Sequence, residues 1–349
     1  MSAIVIISPG FPKDESDTTC LPAFQQFVLS LQRQFSEHRF IVIALHYPYD
    51  EKIYTWHGTT IYALGGKNRG HFYNSIIRRK AYQRLLKIKK EYGLIGLVSL
   101  WCTDTAKVGA RFANAQGIPH RIWIIGQDAG KDNKHVASIN PKPEELMAMS
   151  DFLQTAFYKN HHIRPLHVVE NGINPETFPP FNSGQRPIDL FGAGWLSPLK
   201  NYKLFIDLVA DLKKSHPLIR AVIAGEGEER SNLEKQIHLL NLQDNVRLVG
   251  LKSHQETLEY MAQSKVFLHT SNYEGNSTVL MEALYSGCQV VSTQALSERP
   301  IENLFVSTEK DILLKELASL FSQSITQKQI VFNTMDTSAR KIMKLLLGQ

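Results

Sequence analysis

Cysteine is scarce: the 349 residues hold three, Cys20, Cys102 and Cys288, odd in number and far apart. None stands in a Cys-x-x-Cys or Cys/His spacing, so neither a disulfide framework nor a metal site is expected, and the chain reads as a reduced, cytoplasmic protein. Long apolar runs are missing too. The longest, Phe40 to Leu45 and Leu94 to Trp101, have the length of strands and fall far short of the roughly 20 residues that a membrane-spanning helix needs. No basic stretch precedes the first apolar run and no small-residue cleavage site follows it, so a secretory leader is not expected. Nor is charge of one sign in large excess. The 39 Lys+Arg against 33 Asp+Glu leave +6, modest for this length, and without aromatic-basic interleaving or a recognition motif they argue against nucleic acid as a partner. Solenoid repeats and low-complexity segments are absent.

What is present is ordinary globular composition, 43% hydrophobic and 21% charged, in a chain long enough for two domains with real cores. Short β-rich runs alternate with helical patterns: Ala3 to Ser8, a helix near Ala23 to Phe35, Phe40 to Leu45, Thr60 to Leu64, a helix near Ser75 to Tyr92, Leu94 to Trp101, a helix near Thr105 to Ala115, and Arg121 to Ile125. That is the rhythm of a parallel sheet covered on both faces. After Asn171-Gly172 come Pro175, Pro179, Pro180, Gly184 and Pro187, a density of breakers that suits a linker. The rhythm then restarts, from Ile188 to Phe191 through Gln289 to Ser292. The expected division is an N-terminal Rossmann-like domain over 1–180, a C-terminal one over 181–335, and a final helix over 336–349 packing back on the first. Strand C-termini and helix N-termini of both halves should face a cleft between them, where ligands of such sheets bind.

The most informative stretch runs from His269 to Gly287. A strand ends, a polar loop turns and a helix begins, with Asn276 or Ser277 as N-cap. The free amides of Ser277, Thr278 and Val279 would then offer an anion site suited to phosphates. Glu282 follows on that helix, about 6 to 8 Å from the anion site at 1.5 Å per residue, which is ribose distance from a pyrophosphate. A carboxylate there accepts two hydrogen bonds from a vicinal diol, while Glu274 points from the loop toward whatever the phosphate carries. Two solvated glutamates with no function would show the same spacing.

The surrounding residues decide between these. Glu274-Gly275 and Glu282-Ala283, with seven residues between the glutamates, resemble the signature of retaining glycosyltransferases of family 4, which have the GT-B fold. In matching order, Val169-Glu170-Asn171-Gly172 to Phe178 is similar to their interdomain segment, and Gly192-Ala193-Gly194-Trp195 to Lys200-Asn201 to their donor-phosphate loop. Ile223-Ala224-Gly225-Glu226-Gly227 and Asn245 to Gly250 are similar to the next two strand ends. The resemblance implies an α/β GT-B architecture of two Rossmann-like domains facing a cleft. It also implies metal-independent, retaining transfer of a sugar from a UDP or GDP sugar to an acceptor hydroxyl, in cell-surface polysaccharide or lipopolysaccharide assembly. No cofactor beyond the donor substrate is implied. Lys200 would neutralise the departing diphosphate, Glu282 hold the ribose and Glu274 contact the sugar, with Gly194, Gly225, Glu226, Leu251, Gly275, Asn276, Ser277, Thr278 and Val279 completing the donor site.

Two departures from the family pattern bear on this. Trp195 stands where relatives commonly carry an arginine, so either Arg230 or Lys252 substitutes, or Lys200 and backbone donors act alone; simple packing is the other reading of Trp195. Ile125 stands where many relatives have histidine, which leaves Gln127 and Asp128 as acceptor or sugar contacts by position, Asp128 being the catalytic candidate on that side and equally a turn cap. Gly10 and Phe11, after the first strand, are the remaining acceptor candidates. His46-Tyr47-Pro48, Trp56-His57-Gly58 and Gly65 to Gly70 read as variable acceptor loops, for a glycan or a lipid-linked acceptor. Between Lys67 and Lys90 nine cations flank the apolar stripe Ile77, Ala81, Leu85, Ile88. The stripe is a core face, and the basic flank is either solvated or meets an anionic membrane surface, as for a peripheral protein on the inner face of the membrane. Epimerase and phosphorylase readings lack an acid/base cluster and a cofactor-lysine pattern. A non-catalytic nucleotide-sugar-binding or membrane-associated partner with the same fold stays open, favoured by Trp195 and the missing histidine.

Overall fold

A computed structural model describes residues 1–181, 184–323 and 325–348. The chain forms two compact units, Met1–Gly172 with Asn333–Gln349, and Ile173–Phe332. The expected boundary at 180/181 therefore moves ahead of the proline-rich segment. The reason is apolar contact: Ile173 belongs to a core of the second unit, and Phe178 packs edge-on against Tyr285 with ring centroids 4.7 Å apart.

In the first unit the elements are β1 (Ala3–Gly10), α1 (Pro22–Gln34), β2 (Arg39–Tyr47), β3 (Glu51–Trp56), β4 (Thr59–Leu64), α2 (His71–Tyr92), β5 (Leu94–Leu100), α3 (Asp104–Gln116), β6 (His120–Ile124), α4 (His135–Ile139), β7 (Leu146–Ala148), α5 (Asp151–His161) and β8 (His167–Val168). They build one sheet in the order β3-β4-β2-β1-β5-β6-β7-β8. Successive residues of β1 go to opposite faces, Ile4 and Ile6 into one core, Ala3, Val5 and Ile7 into the other. A near-continuous apolar strand is what a doubly covered parallel sheet requires.

The departure is β3, which pairs antiparallel with β4. Its residues are mostly exposed, as an edge strand's can be, so no apolar run announced it. His57 and Gly58, both at positive φ, make the two-residue hairpin turn. Trp56-His57-Gly58 thus joins the end of β3 to the start of β4, at the opposite end of the sheet from the C-termini of its parallel strands, and is a hairpin turn in place of the acceptor loop expected. Trp56 itself is buried, its ring 5.0 Å from that of Phe11.

The second unit contains β9 (Ile188–Ala193), α6 (Tyr202–Lys213), β10 (Ala221–Ala224), α7 (Arg230–Leu239), β11 (Val246–Leu248), α8 (His254–Ala262), β12 (Ser264–His269), α9 (Thr278–Tyr285), β13 (Gln289–Ser292), β14 (Leu304–Val306) and α10 (Lys310–Phe321). Its sheet, β11-β10-β9-β12-β13-β14, is parallel throughout. Again the strands feed two cores: Leu190, Val266 and Leu268 point one way, Phe191 and Phe267 the other.

The last helix, α11 (Met335–Leu347), is part of the first unit. Met335, Ala339, Ile342, Met343 and Leu346 share a core with Phe24, Phe27 and Leu31 of α1. Asp336 accepts from the Ser30 hydroxyl at 2.5 Å and pairs with Arg33 at 2.5 Å. Among the described residues no helix is long and apolar enough to cross a membrane.

Candidate active site

In the second unit the C-terminal ends of β9, β10 and β12 lie side by side, and the loops that leave them carry the polar residues. The loop after β12 is stitched to the loop after β9. The Asn272 amide donates to the Leu199 carbonyl at 2.8 Å, and the Thr270 hydroxyl donates to the Lys200 carbonyl at 3.0 Å. This lacing brings the Lys200 ammonium onto Glu274 Oε1, where the two form an ion pair. His269, the last residue of β12 and almost fully buried, faces the same oxygen through Nε2 at 3.2 Å.

Burial by itself would raise the Glu274 carboxyl, but the His269 hydrogen bond and the Lys200 charge outweigh it and hold the group down at about 2. Glu274 is therefore a fixed anion between two donors. Tyr202, at the start of α6, is pushed up by burial and by the Glu274 charge, so its hydroxyl keeps its proton.

Glu282 sits on α9, nearly buried, with Oε1 2.7 Å from His254 Nε2. Burial disfavours charge on His254, yet the hydrogen bond and charge of Glu282 prevail and its pKa is raised. Ser253, which begins α8, accepts from the Glu256 amide while the Glu256 carboxylate accepts from the Ser253 amide, and this reciprocal cap presents His254 to α9. At the head of α9 the N-cap is Ser277, whose side chain makes no capping bond. Gly275, Asn276, Thr278 and Val279 lie on the same loop-to-helix turn.

The remaining donor-site expectations are distributed around this centre. Gly194 and Gly225 follow β9 and β10 against each other, the Gly194 amide donating to the Ala224 carbonyl at 3.0 Å. Glu226 pairs with Arg230 at 2.6 Å, and Arg230 also holds Glu234 at 2.9 Å. Lys252 lies 3.5 Å from Glu256. Both cations expected to stand in for the missing arginine are thus occupied by carboxylates of their own. Trp195 is exposed rather than packed, and its indole N–H donates to Glu228 at 2.9 Å. Leu251 is exposed. Among the described residues no group of three His, Cys, Asp or Glu is arranged to hold a metal.

The first unit corrects the expected acceptor contacts. Asp128 is buried, its Oδ2 accepting from the Cys102 amide at 2.8 Å and its Oδ1 from the amides of Ile125 and Gly126 at 3.1 and 2.8 Å. Burial raises its pKa against the pull of those amides. Both of its oxygens are taken up by backbone amides at two strand ends, so the geometry gives it the work of a tie between them in place of the catalytic role anticipated. Phe11 is a core side chain against Trp56, with its amide on the Tyr47 carbonyl, and Gly10 lies buried against Tyr47. Of the four positions only Gln127 is exposed.

Sequence reasoning missed His269, His254 and a cluster in the first unit, where Asp104 heads α3 and meets Arg78 at 2.5 Å and His135 at 3.7 Å. Neither His269 nor His254 stands in a metal-ligand spacing with another histidine or cysteine. The usable signal for His269 was its place at the end of an apolar strand, five residues before Glu274.

Residues 174–313 match the family model of group 1 glycosyl transferases. Over 168 residues the chain is 29% identical to the gpi3 subunit of phosphatidylinositol N-acetylglucosaminyltransferase from Schizosaccharomyces pombe, which is 46% of this chain and 37% of that one. It is 31% identical over 172 residues to a Campylobacter jejuni enzyme, N-acetylgalactosamine-N,N'-diacetylbacillosaminyl-diphospho-undecaprenol 4-alpha-N-acetylgalactosaminyltransferase, covering 46% and 44%. The matches therefore span well under two thirds of these relatives. Among solved structures, sucrose-phosphate synthase from Thermosynechococcus elongatus superposes with a TM-score of 0.74 at 15% identity, over 99% of this chain and 95% of that one. The Anabaena protein HepE in complex with UDP and glucose gives 0.67 at 18%, over 99% and 96%. These likenesses establish the GT-B fold.

Proposed function

Since residues 174–313 match the family model of the group 1 glycosyl transferases, we propose that this chain is a retaining enzyme of that family. It moves a sugar from a nucleotide diphosphate sugar, with UDP or GDP as the carrier, to an acceptor hydroxyl in cell-surface polysaccharide or lipopolysaccharide assembly. The observation that carries this reading is the Lys200–Glu274 pair, held between strand ends by loops laced to each other.

A diphosphate entering beside α9 meets the helix amides and takes the Lys200 ammonium, which offsets the charge that grows on the leaving group as the anomeric C–O bond breaks. Glu274 accepts from a sugar hydroxyl. Glu282, one oxygen held by His254, offers the other to the ribose. The acceptor oxygen bonds to the anomeric carbon on the face the phosphate leaves, and a phosphate oxygen takes the acceptor's proton. The chemistry supplied by Lys200 and the amides is electrostatic and calls for no nucleophile of the protein.

A thermal-shift panel of UDP, GDP, ADP and CMP tests the donor half. One nucleotide, UDP or GDP, is expected to stabilise selectively, by about 2.7 kcal/mol at 100 times its dissociation constant. In Glu282→Ala the same nucleotide should bind roughly 10- to 100-fold more weakly, the value of a hydrogen bond to a charged group. Silence toward all four nucleotides would overturn the reading.

The lipid carrier in the name of the Campylobacter relative supports a lipid-linked acceptor, and α2 supports docking on an anionic membrane. Its outward face exposes Phe72, Ile76 and Leu86 beside Arg79, Lys87 and Lys90, an apolar strip bordered by cations. With about 1 kcal/mol per cation near a charged surface, changing Arg79, Lys87 and Lys90 to glutamate should weaken binding to phosphatidylglycerol vesicles at least 100-fold in sedimentation. Equal binding of both forms would leave α2 as a merely solvated helix.

A further inference from the structure

His269 ends β12 with partners on both ring nitrogens, and those partners constrain where its protons sit. The Ser292 hydroxyl on β13 donates its single hydrogen to the Gln294 carbonyl at 2.7 Å and accepts from the Gln294 amide at 2.9 Å. What it presents to His269 Nδ1, 3.1 Å away, is its remaining lone pair. With that hydrogen on the Gln294 carbonyl, Nδ1 is left as the donor of the pair. On the opposite side Nε2 faces Glu274 Oε1 at 3.2 Å. That oxygen is paired with Lys200 and belongs to a carboxylate held at about 2, so it has no hydrogen to give. A bare Nε2 would set lone pair against lone pair in a buried site, an arrangement with no compensating bond. Among the described residues, the charged groups at this imidazole are Glu274 and, across it, Lys200. Tyr202 borders the same carboxylate, and the partner from β13 is the neutral Ser292.

Building on the donor-site reading above, we propose that His269 is a positioning residue: an imidazolium, protonated on both nitrogens, that holds Glu274 in place when a donor diphosphate draws Lys200 away. Glu274 begins with two cations on one oxygen. Loss of Lys200 to the phosphates would otherwise leave a half-buried carboxylate without a counter-charge, free to rotate or to take up a proton. With the Nε2–H fixed by Ser292 behind it, Glu274 keeps its charge and its rotamer, and its second oxygen stays aimed at the sugar. Ser292, His269 and Glu274 thus form a chain from β13 to the donor.

The test is ¹⁵N-histidine NMR on the full chain at pH 7.5, with His269 assigned as the resonance that moves in Glu274→Gln and disappears in His269→Gln. Both nitrogens are expected to be protonated in the natural protein, and the ring to revert to the neutral Nδ1–H form in Glu274→Gln. A neutral His269 beside an intact Glu274 overturns the proposal, whatever the activity. In transfer assays His269→Gln should lower kcat on the order of 100-fold, the scale of a small displacement of a reacting partner, with the donor KM changed less than about threefold because Lys200 and Glu282 remain. A fall in affinity with kcat preserved would also overturn it. A doubly protonated ring in a protein that transfers no sugar would instead sink the glycosyltransferase reading, so the two failures are separable. Should His269→Gln fail to fold, the Glu274→Gln spectrum alone decides the protonation.

Discussion

Replacing Lys200 by alanine is expected to slow sugar transfer by about two to three orders of magnitude at saturating donor, the usual cost of removing one group that stabilises charge developing in a transition state. The charge in question grows on the leaving diphosphate, so kcat should fall further than donor affinity, which Glu282 and the α9 amides continue to support. The effect should be large here because, among the described residues, both cations expected to compensate are engaged elsewhere. Arg230 is committed to Glu226 and Glu234, and Lys252 lies beside Glu256. Exposed Trp195 carries no charge and is bonded to Glu228. The substitution also removes one of the two donors that hold Glu274 down at about 2. Lys200→Arg would restore charge with a wider, planar head and should recover only part of the rate. Steady-state kinetics with donor and acceptor varied separately check this. A kcat within tenfold of the natural enzyme would remove Lys200 from the mechanism.

The second large effect concerns stability. Gly225 follows β10 at φ +153°, and a Cβ there would lie 1.9 Å from the Gly194 carbonyl oxygen. That neighbour is backbone of the adjacent strand end and cannot rotate away as a flexible side chain would. Gly225→Ala must therefore part β9 from β10, where the loop bearing Lys200 begins, as well as occupy an unfavourable φ. A loss of at least about 3 kcal/mol is expected, or a melting point lower by about 10 °C at roughly 2–4 °C per kcal/mol for a unit of this size. Gly93 supplies the comparison. It caps α2 at φ +68° with open space around its would-be Cβ, so Gly93→Ala should cost only about 1 kcal/mol. Thermal unfolding followed by circular dichroism distinguishes the two, and equal melting points would refute the steric argument.

How much of this was legible beforehand depended on whether the signal was local. The strands β1, β2, β4, β5 and β6 and those from β9 to β13 were readable because each is a short apolar run between breakers, and α9 because a polar loop precedes a helical stripe; β7 and β14, three residues each, were too short to stand out. Glu274 and Glu282 were readable as a pair because one loop and one helix separate them. β3 was not, since an exposed edge strand carries no apolar run. Asp128 was misassigned because its residue type and its place after β6 suit a ligand contact as well as a backbone tie, and only the three amides around it decide between the two. Phe11 was misassigned for the same reason: a residue after a strand can enter the core when a neighbour such as Trp56 leaves room for it.

By itself, the sequence determined two α/β units, many of their strands and helices to within a few residues, and the polar turn that opens α9. These follow from side-chain periodicity and chain-breaking residues, whose effects act over one or two turns of chain. The tertiary structure alone decided that the proline-rich segment belongs with the second unit. It alone brought Lys200 onto Glu274, 74 residues away, with His269 behind it. Such pairings arise from the order in which strands join a sheet and from the lacing of loops that leave neighbouring strand ends. No local pattern records them, because the free energy that holds them is shared among residues that meet only after the sheet has formed.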